Sequence, residues 1–162
     1  PRTYLLGRDG EVADDDQRDA EYTRLLGRRL AAAYPRETVL HATHLLARAV
    51  HDATCALAGT RDIYRLLRRP PGLELPLGDM IRDVGVLRQR IAADPGLGRL
   101  HHLVAQAGDA AIVDDAIRGL AGYHRHPVVE RHGDVLRVGD PKLVYYYQNR
   151  TSHIPAQPRG AS

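Results

Sequence analysis

The chain has 162 residues, a length that allows one domain with a hydrophobic core. Its composition, 43% hydrophobic and 27% charged, excludes a disordered chain, and its single cysteine, Cys55, excludes an intramolecular disulfide framework. A net charge of +3 and a pI of 9.3 favour negatively charged partners, such as an anionic membrane surface or nucleic acid. No run approaches the roughly 18 apolar residues of a membrane span, no signal peptide is visible, and the missing initial Met suggests a fragment.

Two long helices are predicted after an extended lead-in over residues 1–13. Three aspartates at positions 14–16 place negative charge at the start of the first helix, where the helix dipole favours it. This helix is predicted over residues 15–33, ending before Pro35, and its core-facing residues are expected to be Tyr22, Leu25, Leu26, Leu30 and Ala33. The second helix is predicted over residues 37–57, with a core-facing stripe of Val39, Ala42, Leu46, Ala49, Ala53 and Leu57.

The second helix also carries a polar stripe, formed by His41, His44, Arg48 and His51. Histidines three residues apart can share a metal ion. However, Arg48 lies between the candidate ligands, and no cysteine or further carboxylate beyond Asp52 completes the set. The stripe is therefore interpreted as a polar seam that faces a neighbouring domain, and no metal site is predicted.

Three further helices are predicted, over residues 62–69, 78–93 and 110–123, each with apolar residues at helical spacing. Residues 73–77 alternate between apolar and other residues and are expected to form an extended turn into the second of these helices. Residues 97–108 fit a helix in their apolar pattern, although glycines bound the run, so their structure stays open.

A β-hairpin is predicted from residues 128–131 and 135–138, joined by a three-residue loop with Gly133 at its centre. Asp140 as the cap and Pro141 at the first position then predict a C-terminal helix. Its core-facing residues are expected to be Leu143, Val144, Tyr147, Thr151 and Ile154.

The predicted fold class is mainly α: a helical bundle with one small β-hairpin and a winged-helix-like order of elements in its C-terminal half. Residues 1–154 are expected to form a single helical domain, with long helices over 15–58 and helices plus the hairpin over 62–154. Residues 155–162 are expected to be a disordered tail.

The C-terminal helix carries a second, polar stripe of Tyr146, Asn149 and His153, next to Tyr147. By physical chemistry alone, these phenol and imidazole groups fit a packing helix whose polar atoms are satisfied by its neighbours. The same four residues resemble the Tyr-Tyr-Arg-Asn-Asn-x-x-His segment near the C-terminus of the large bacterial and mitochondrial-type glycerol-3-phosphate acyltransferases. The segment departs from that pattern at two positions, Gln148 and Arg150. The order of helices and hairpin is similar to the same region of that family.

The resemblance implies a C-terminal accessory domain of an acyl-CoA-dependent glycerol-3-phosphate or lysophosphatidate acyltransferase of phospholipid biosynthesis. It implies as partners the N-terminal catalytic domain of the same chain and an anionic membrane surface, and a peripheral location at the cytoplasmic face of a membrane. The family's catalytic motif is His-x-x-x-x-Asp, and none of the nine histidines is followed by Asp five positions later. No catalytic residue and no cofactor are therefore expected here, acyl-CoA being a substrate of the parent enzyme, and the chain alone is expected to be inactive.

Two alternatives belong to other classes of protein. A winged-helix module could bind DNA, with four arginines near the hairpin contacting phosphates: Arg118, Arg125, Arg131 and Arg137. Against this, the helix over 110–123 carries Asp114 and Asp115 where base-reading side chains would be needed, so nucleic acid is not an expected partner. The other alternative is a helical scaffold or partner-binding domain, which the mixed charge pattern also fits.

Overall fold

The computed structural model describes residue 6, residues 9–11 and residues 16–156. Most of the predicted lead-in over residues 1–13, two of the three aspartates before the first helix, and residues 157–162 of the predicted tail lie outside this part of the chain. The described residues contain seven α-helices: α1 Asp16–Glu37, α2 Ala42–Ala58, α3 Ile63–Leu67, α4 Leu77–Ala93, α5 His102–Gln106, α6 Asp109–Gly122 and α7 Pro141–Gln148. The prediction of a mainly α fold is confirmed.

Five short strands form two small sheets in the described residues: β1 Val39–Leu40, β2 Leu73–Pro76, β3 Arg99–Leu100, β4 Val129–His132 and β5 Val135–Val138. β1 and β3 pair in parallel, and the three-stranded antiparallel sheet has the order β2-β5-β4. The first strand of this sheet therefore pairs with the last, with α4 and α6 between them in sequence. This arrangement agrees with the predicted winged-helix-like order.

The predicted hairpin is present, but its loop is shorter than expected. His132 pairs with Val135, so that the loop contains only Gly133 and Asp134. Gly133 has φ +60, a conformation that lets a two-residue loop match the twist of the strands. The prediction of a three-residue loop is wrong because His132 belongs to β4.

Two segments have a structure that depends on partners distant in sequence. Residues 73–77, predicted as an extended turn, contain β2, and Leu73 pairs with Val138 of β5. The open segment 97–108 contains β3 and α5, preceded by a 3₁₀ turn over Pro95–Leu97. β3 pairs with residues 39–40, which were predicted to be helical, and α2 consequently begins only after His41.

α1 continues through Pro35 to Glu37, so the prediction that the helix ends before Pro35 is wrong. A proline in the last turn removes only one helical hydrogen bond. At the end of the helix, Thr38 Oγ1 donates to the Tyr34 carbonyl at 2.7 Å, so this terminal carbonyl has a hydrogen-bond partner. The predicted core face of α1 is also wrong, because none of the helix residues is buried and Leu30 is 61% exposed.

α2 lies at the centre of the molecule and packs against α4, α6 and α7. Its predicted stripe is largely confirmed, with two exceptions at its ends: Val39 and Leu57 are exposed. α4 and α6 bury the expected apolar faces, including Met80, Val84, Ile112 and Leu120.

α7 begins as predicted, since Asp140 Oδ1 accepts hydrogen bonds from the N–H groups of Lys142 and Leu143, at 2.8 Å and 3.1 Å. The helix ends at Gln148, and a 3₁₀ turn over Asn149–Thr151 follows. The last turn of α7 carries Tyr146 and Tyr147 of the family-like motif, the 3₁₀ turn carries Asn149, and His153 lies two residues after that turn.

Candidate functional site

The polar seam of α2 is centred on Arg48, which is buried, with 5% of its surface exposed. Its Nε donates to Asp52 Oδ2 at 2.7 Å, while Nη1 and Nη2 donate to the carbonyls of Thr151 and Ile154, at 2.5 Å and 2.8 Å. The Arg48 guanidinium therefore binds two carbonyls of the C-terminal segment and also pairs with the Asp52 carboxylate, one helical turn away on α2. The interpretation of the seam as facing a neighbouring domain is wrong for Arg48, because all of these partners lie within this chain.

His44 and His51 also lie against α7. The ring centroid of His44 is 6.5 Å from that of Tyr147, and the ring centroid of His51 is 5.8 Å from that of Tyr145. Burial, followed by the charges of neighbouring groups, lowers the pKa of His44 to about 4, and burial also lowers the pKa of His51. Both imidazoles are therefore neutral near pH 7 and act as packing and hydrogen-bonding groups.

His41, the fourth member of the seam, lies at the exposed N-cap of α2. Its backbone N–H donates to His44 Nδ1 at 3.1 Å, which requires that this nitrogen carries no proton. Its ring stacks on that of His101, with centroids 4.6 Å apart, and His101 in turn lies next to His102. The seam thus continues into a group of surface imidazoles formed by the ends of β1 and β3.

The family-like motif divides between an inward and an outward set of side chains. Tyr147 is partly buried, and its hydroxyl lies 2.9 Å from His124 Nε2. His153 Nε2 donates to the Leu97 carbonyl at 2.9 Å and is also partly buried. By contrast, Tyr146 is 68% exposed, and Asn149 is exposed.

Gln148 and Thr151 lie within the same segment and are buried, although neither was predicted as a site residue. Thr151 Oγ1 donates to the Gln148 carbonyl at 2.6 Å. The burial of Thr151 agrees with the helical spacing of the apolar stripe. Gln148 lies at the edge of the same stripe, four residues after Val144 and three before Thr151, so its spacing also indicates burial although its side chain is polar. Gln148 is one of the two positions at which the segment departs from the family pattern.

An open cleft of about 400 Å³ lies next to the motif, between the end of α1 and the start of α2. Arg150 reaches across it, and its Nη1 forms a hydrogen bond with the Tyr34 hydroxyl. The other lining side chains are Glu37, Thr38, Val39, His41 and His44. The cleft thus brings together a guanidinium, two imidazoles, a phenol and a carboxylate, which can bind polar groups.

The chemistry of these residues favours binding over catalysis. Cys55 Sγ lies 3.5 Å from His51 Nε2, but the thiol is buried and its pKa is raised by that burial, so it carries no thiolate at neutral pH. His44, with a pKa of about 4 and its Nδ1 already accepting a hydrogen bond, is a weak general base. In the part of the chain that the structure describes, no group of three or more His, Cys, Asp or Glu side chains could hold a metal ion.

Two of the arginines considered for phosphate contacts are paired with aspartates of α6. Arg118 lies 3.4 Å from Asp115, and Arg131 of β4 lies 3.2 Å from Asp114. The guanidinium groups of these two arginines are therefore already paired with carboxylates, which weakens their attraction to phosphate groups.

None of the helices within residues 16–156 has the length and apolar character required to cross a bilayer. Comparisons of the chain with protein-family models, with curated proteins and with solved structures found no match.

Proposed function

We propose that this chain is the C-terminal accessory domain of an acyl-CoA-dependent glycerol-3-phosphate or lysophosphatidate acyltransferase. In this role it supports a catalytic domain supplied by another part of the same protein. The catalytic domain carries the His/Asp pair that activates the acceptor hydroxyl, and acyl-CoA binds there. The accessory domain contributes a rigid surface that holds the catalytic domain in its working geometry.

The observation that carries this proposal is the division of the motif on α7. Tyr147 and His153 use their polar atoms to hold the segment in place, through His124 and the Leu97 carbonyl. Tyr146 and Asn149 project outward from the same rigid segment. Tyrosine is enriched among the residues that dominate protein interfaces, because it buries a large area at a low cost in conformational entropy.

A second surface also fits a docking role. α1 has apolar residues at helical spacing, and Leu26, Leu30 and Tyr34 on it are exposed. Tyr34 lines the same cleft as Arg150, which directly follows Asn149. The exposed face of α1 and the exposed half of the motif therefore meet at one side of the molecule, where the catalytic domain would dock.

The proposal includes a peripheral location at the cytoplasmic face of a membrane, where glycerolipid acyl transfer takes place. The supporting feature is the net charge of +3, which favours an anionic membrane surface.

The first test is the coding sequence upstream of Pro1, which should contain a His-x-x-x-x-Asp motif. The second is acyl transfer from acyl-CoA to glycerol 3-phosphate or lysophosphatidate by the full-length protein. The Tyr146→Ala/Asn149→Ala double variant should lower this rate about tenfold to a hundredfold, because a misplaced catalytic domain loses its working geometry. The 162-residue chain by itself should show no turnover.

Tyr64→Ala is the matched control, because Tyr64 of α3 is as exposed as Tyr146 but lies outside the motif. It should leave the rate unchanged, and both variants should melt at the temperature of the unaltered chain. A full-length protein without acyltransferase activity, or a double variant with full activity, would contradict the proposal.

A further inference from the structure

An apolar cavity of about 350 Å³ lies between α2, α3 and the start of α7. Small-molecule sites in proteins typically enclose about 300–1,000 Å³. Its apolar lining includes five leucine and valine side chains: Leu66, Leu67, Leu73, Val138 and Val144. Neither Tyr146 nor Asn149 lines it, so the cavity is separate from the exposed half of the motif.

Two aromatic side chains add polar atoms to the cavity wall. His51 of α2 and Tyr145 of α7 meet edge to face, with ring centroids 5.8 Å apart. Burial lowers the pKa of His51, so the imidazole is neutral near pH 7. The Tyr145 hydroxyl makes no hydrogen bond to any residue that the structure describes. The wall can therefore donate a hydrogen bond to a ligand without adding charge to the apolar interior.

The rim of the cavity is positively charged. Arg69 lines the cavity where the chain passes from α3 to β2, and Arg68 precedes it. Arg65 of α3 is paired with Asp62 at 3.7 Å, whereas Arg68 and Arg69 have no acidic partner among the described residues. An apolar interior below an uncompensated guanidinium is complementary to a ligand with a hydrocarbon body and one anionic end.

We propose that this cavity binds an aliphatic monocarboxylate, that is, a free fatty acid of medium chain length. The hydrocarbon chain lies among the leucine and valine side chains, and the carboxylate pairs with the Arg69 guanidinium. Each additional methylene group that enters the cavity strengthens binding about fourfold. The proposal is independent of the acyltransferase role, because it rests on the cavity and its rim alone.

Isothermal titration calorimetry of the whole 162-residue chain with octanoate and with 1-octanol tests the proposal. Octanoate should bind more tightly than octanol, and more tightly than hexanoate. Arg69→Gln should weaken octanoate binding about tenfold and leave octanol binding unchanged, because only the carboxylate uses the guanidinium. Arg125→Gln is the matched control: it removes the same charge from a residue outside the cavity and should change neither ligand's affinity.

A second variant tests the location of the hydrocarbon chain. Leu73→Trp places a larger side chain in the cavity and should abolish the binding of both ligands, whereas Leu103→Trp, at a 60% exposed position, should not. If Leu73→Trp fails to fold by circular dichroism, nuclear Overhauser effects from octanoate to the Leu66 and Val144 methyl groups of the unaltered chain decide the question. The proposal is overturned if octanoate does not bind at millimolar concentration, if octanol binds equally well, or if Arg69→Gln has no effect. None of these outcomes bears on the proposed acyltransferase role, because that role is tested by the rate of acyl transfer from acyl-CoA in the full-length protein.

Discussion

Arg48 connects α2 to the C-terminal segment through one buried guanidinium with three hydrogen bonds. Its removal would leave the Asp52 carboxylate with only the more exposed Arg61 as a partner. It would also remove the hydrogen bond to the Ile154 carbonyl, whereas the Thr151 carbonyl would keep the one from the Ile154 N–H group. Breaking a buried ion pair by removing one partner costs about 3–5 kcal/mol. Arg48→Met should therefore lower the free energy of unfolding by about this amount in equilibrium urea denaturation.

Arg118→Met serves as the control, since Arg118 also pairs with an aspartate on its own helix but at an exposed site. Exposed ion pairs contribute at most about 1 kcal/mol, so this variant should unfold at nearly the same urea concentration as the unaltered chain. Equal losses in the two variants would mean that Arg48 does not hold the C-terminal segment in place.

His44 makes stability depend on pH. Its pKa is lowered to about 4 by burial and then by His41 and Arg150, whereas in the unfolded chain it has the ordinary value of 6.5. Between these values the unfolded chain binds more protons, so this contribution to stability is fully present above pH 6.5 and decreases as the pH falls to 4. The total loss is at most about 3 kcal/mol.

Urea denaturation at a series of pH values from 7 to 4 measures this effect. In His44→Gln, the free energy of unfolding should depend less on pH than in the unaltered chain, at pH values above the range in which carboxylates titrate. The control His126→Gln, at an exposed position, should show the same pH dependence as the unaltered chain. An identical slope in the unaltered chain and in His44→Gln would contradict the account of the buried imidazole.

The chain passes from the three-stranded sheet to α7 through Gly139, which follows β5 directly. The close packing at this connection requires a residue without a side chain. A Cβ at this position would lie 2.3 Å from the Pro127 carbonyl oxygen, and this backbone atom cannot move aside as a flexible side chain could. The Gly139 and Asp140 N–H groups both donate to the Val128 carbonyl, so the backbone at this connection is already closely packed. Gly139→Ala should lower the free energy of unfolding by about 1–3 kcal/mol, measured in urea.

Gly78→Ala is the opposite case, because Gly78 lies within α4 and a Cβ there would meet no atom within 4 Å. Alanine is the better helix former, and this variant should be more stable by about 0.5–1 kcal/mol. If both glycine variants were stabilised, the hairpin and α7 would not be held as closely as the distances indicate.

The molecule as a whole is organised around α2, which packs against three other helices, while α1 lies outside the core. The apolar residues of α1 are at the same helical spacing as those of α2, yet Leu26 and Leu30 remain exposed. Under the proposed function, the remainder of the acyltransferase covers this face. In the winged-helix-like part of the fold, Arg118 and Arg131 are paired with aspartates of α6.

Local signals in the sequence were sufficient for the presence of six of the seven described helices, for the hairpin and for the start of α7. Apolar spacing identified the buried faces of α2, α4 and α6, and Asp140 with Pro141 located the first turn of α7. These features depend on residues within a few positions of one another, which is the range over which helix periodicity, capping and turn preferences act.

Only the tertiary structure decided which apolar faces are covered and which polar side chains meet. Apolar spacing made α1 and α2 look alike, but burial depends on which elements pack against the face. α2 packs against three helices, whereas within the described residues α1 packs mainly against the short 3₁₀ turn over Pro95–Leu97. β2 and β3 needed partners 60 or more residues away, as the register of Leu73 with Val138 and of Leu100 with Leu40 shows. The sequence likewise did not indicate that Arg48 binds the C-terminal segment, because its carbonyl acceptors lie 103 and 106 positions further along the chain. The spacing of residues within α2 shows that Arg48 belongs to a polar stripe. Whether its charge is buried depends on how α7 and the residues after it pack against α2, and no local sequence pattern indicates this packing.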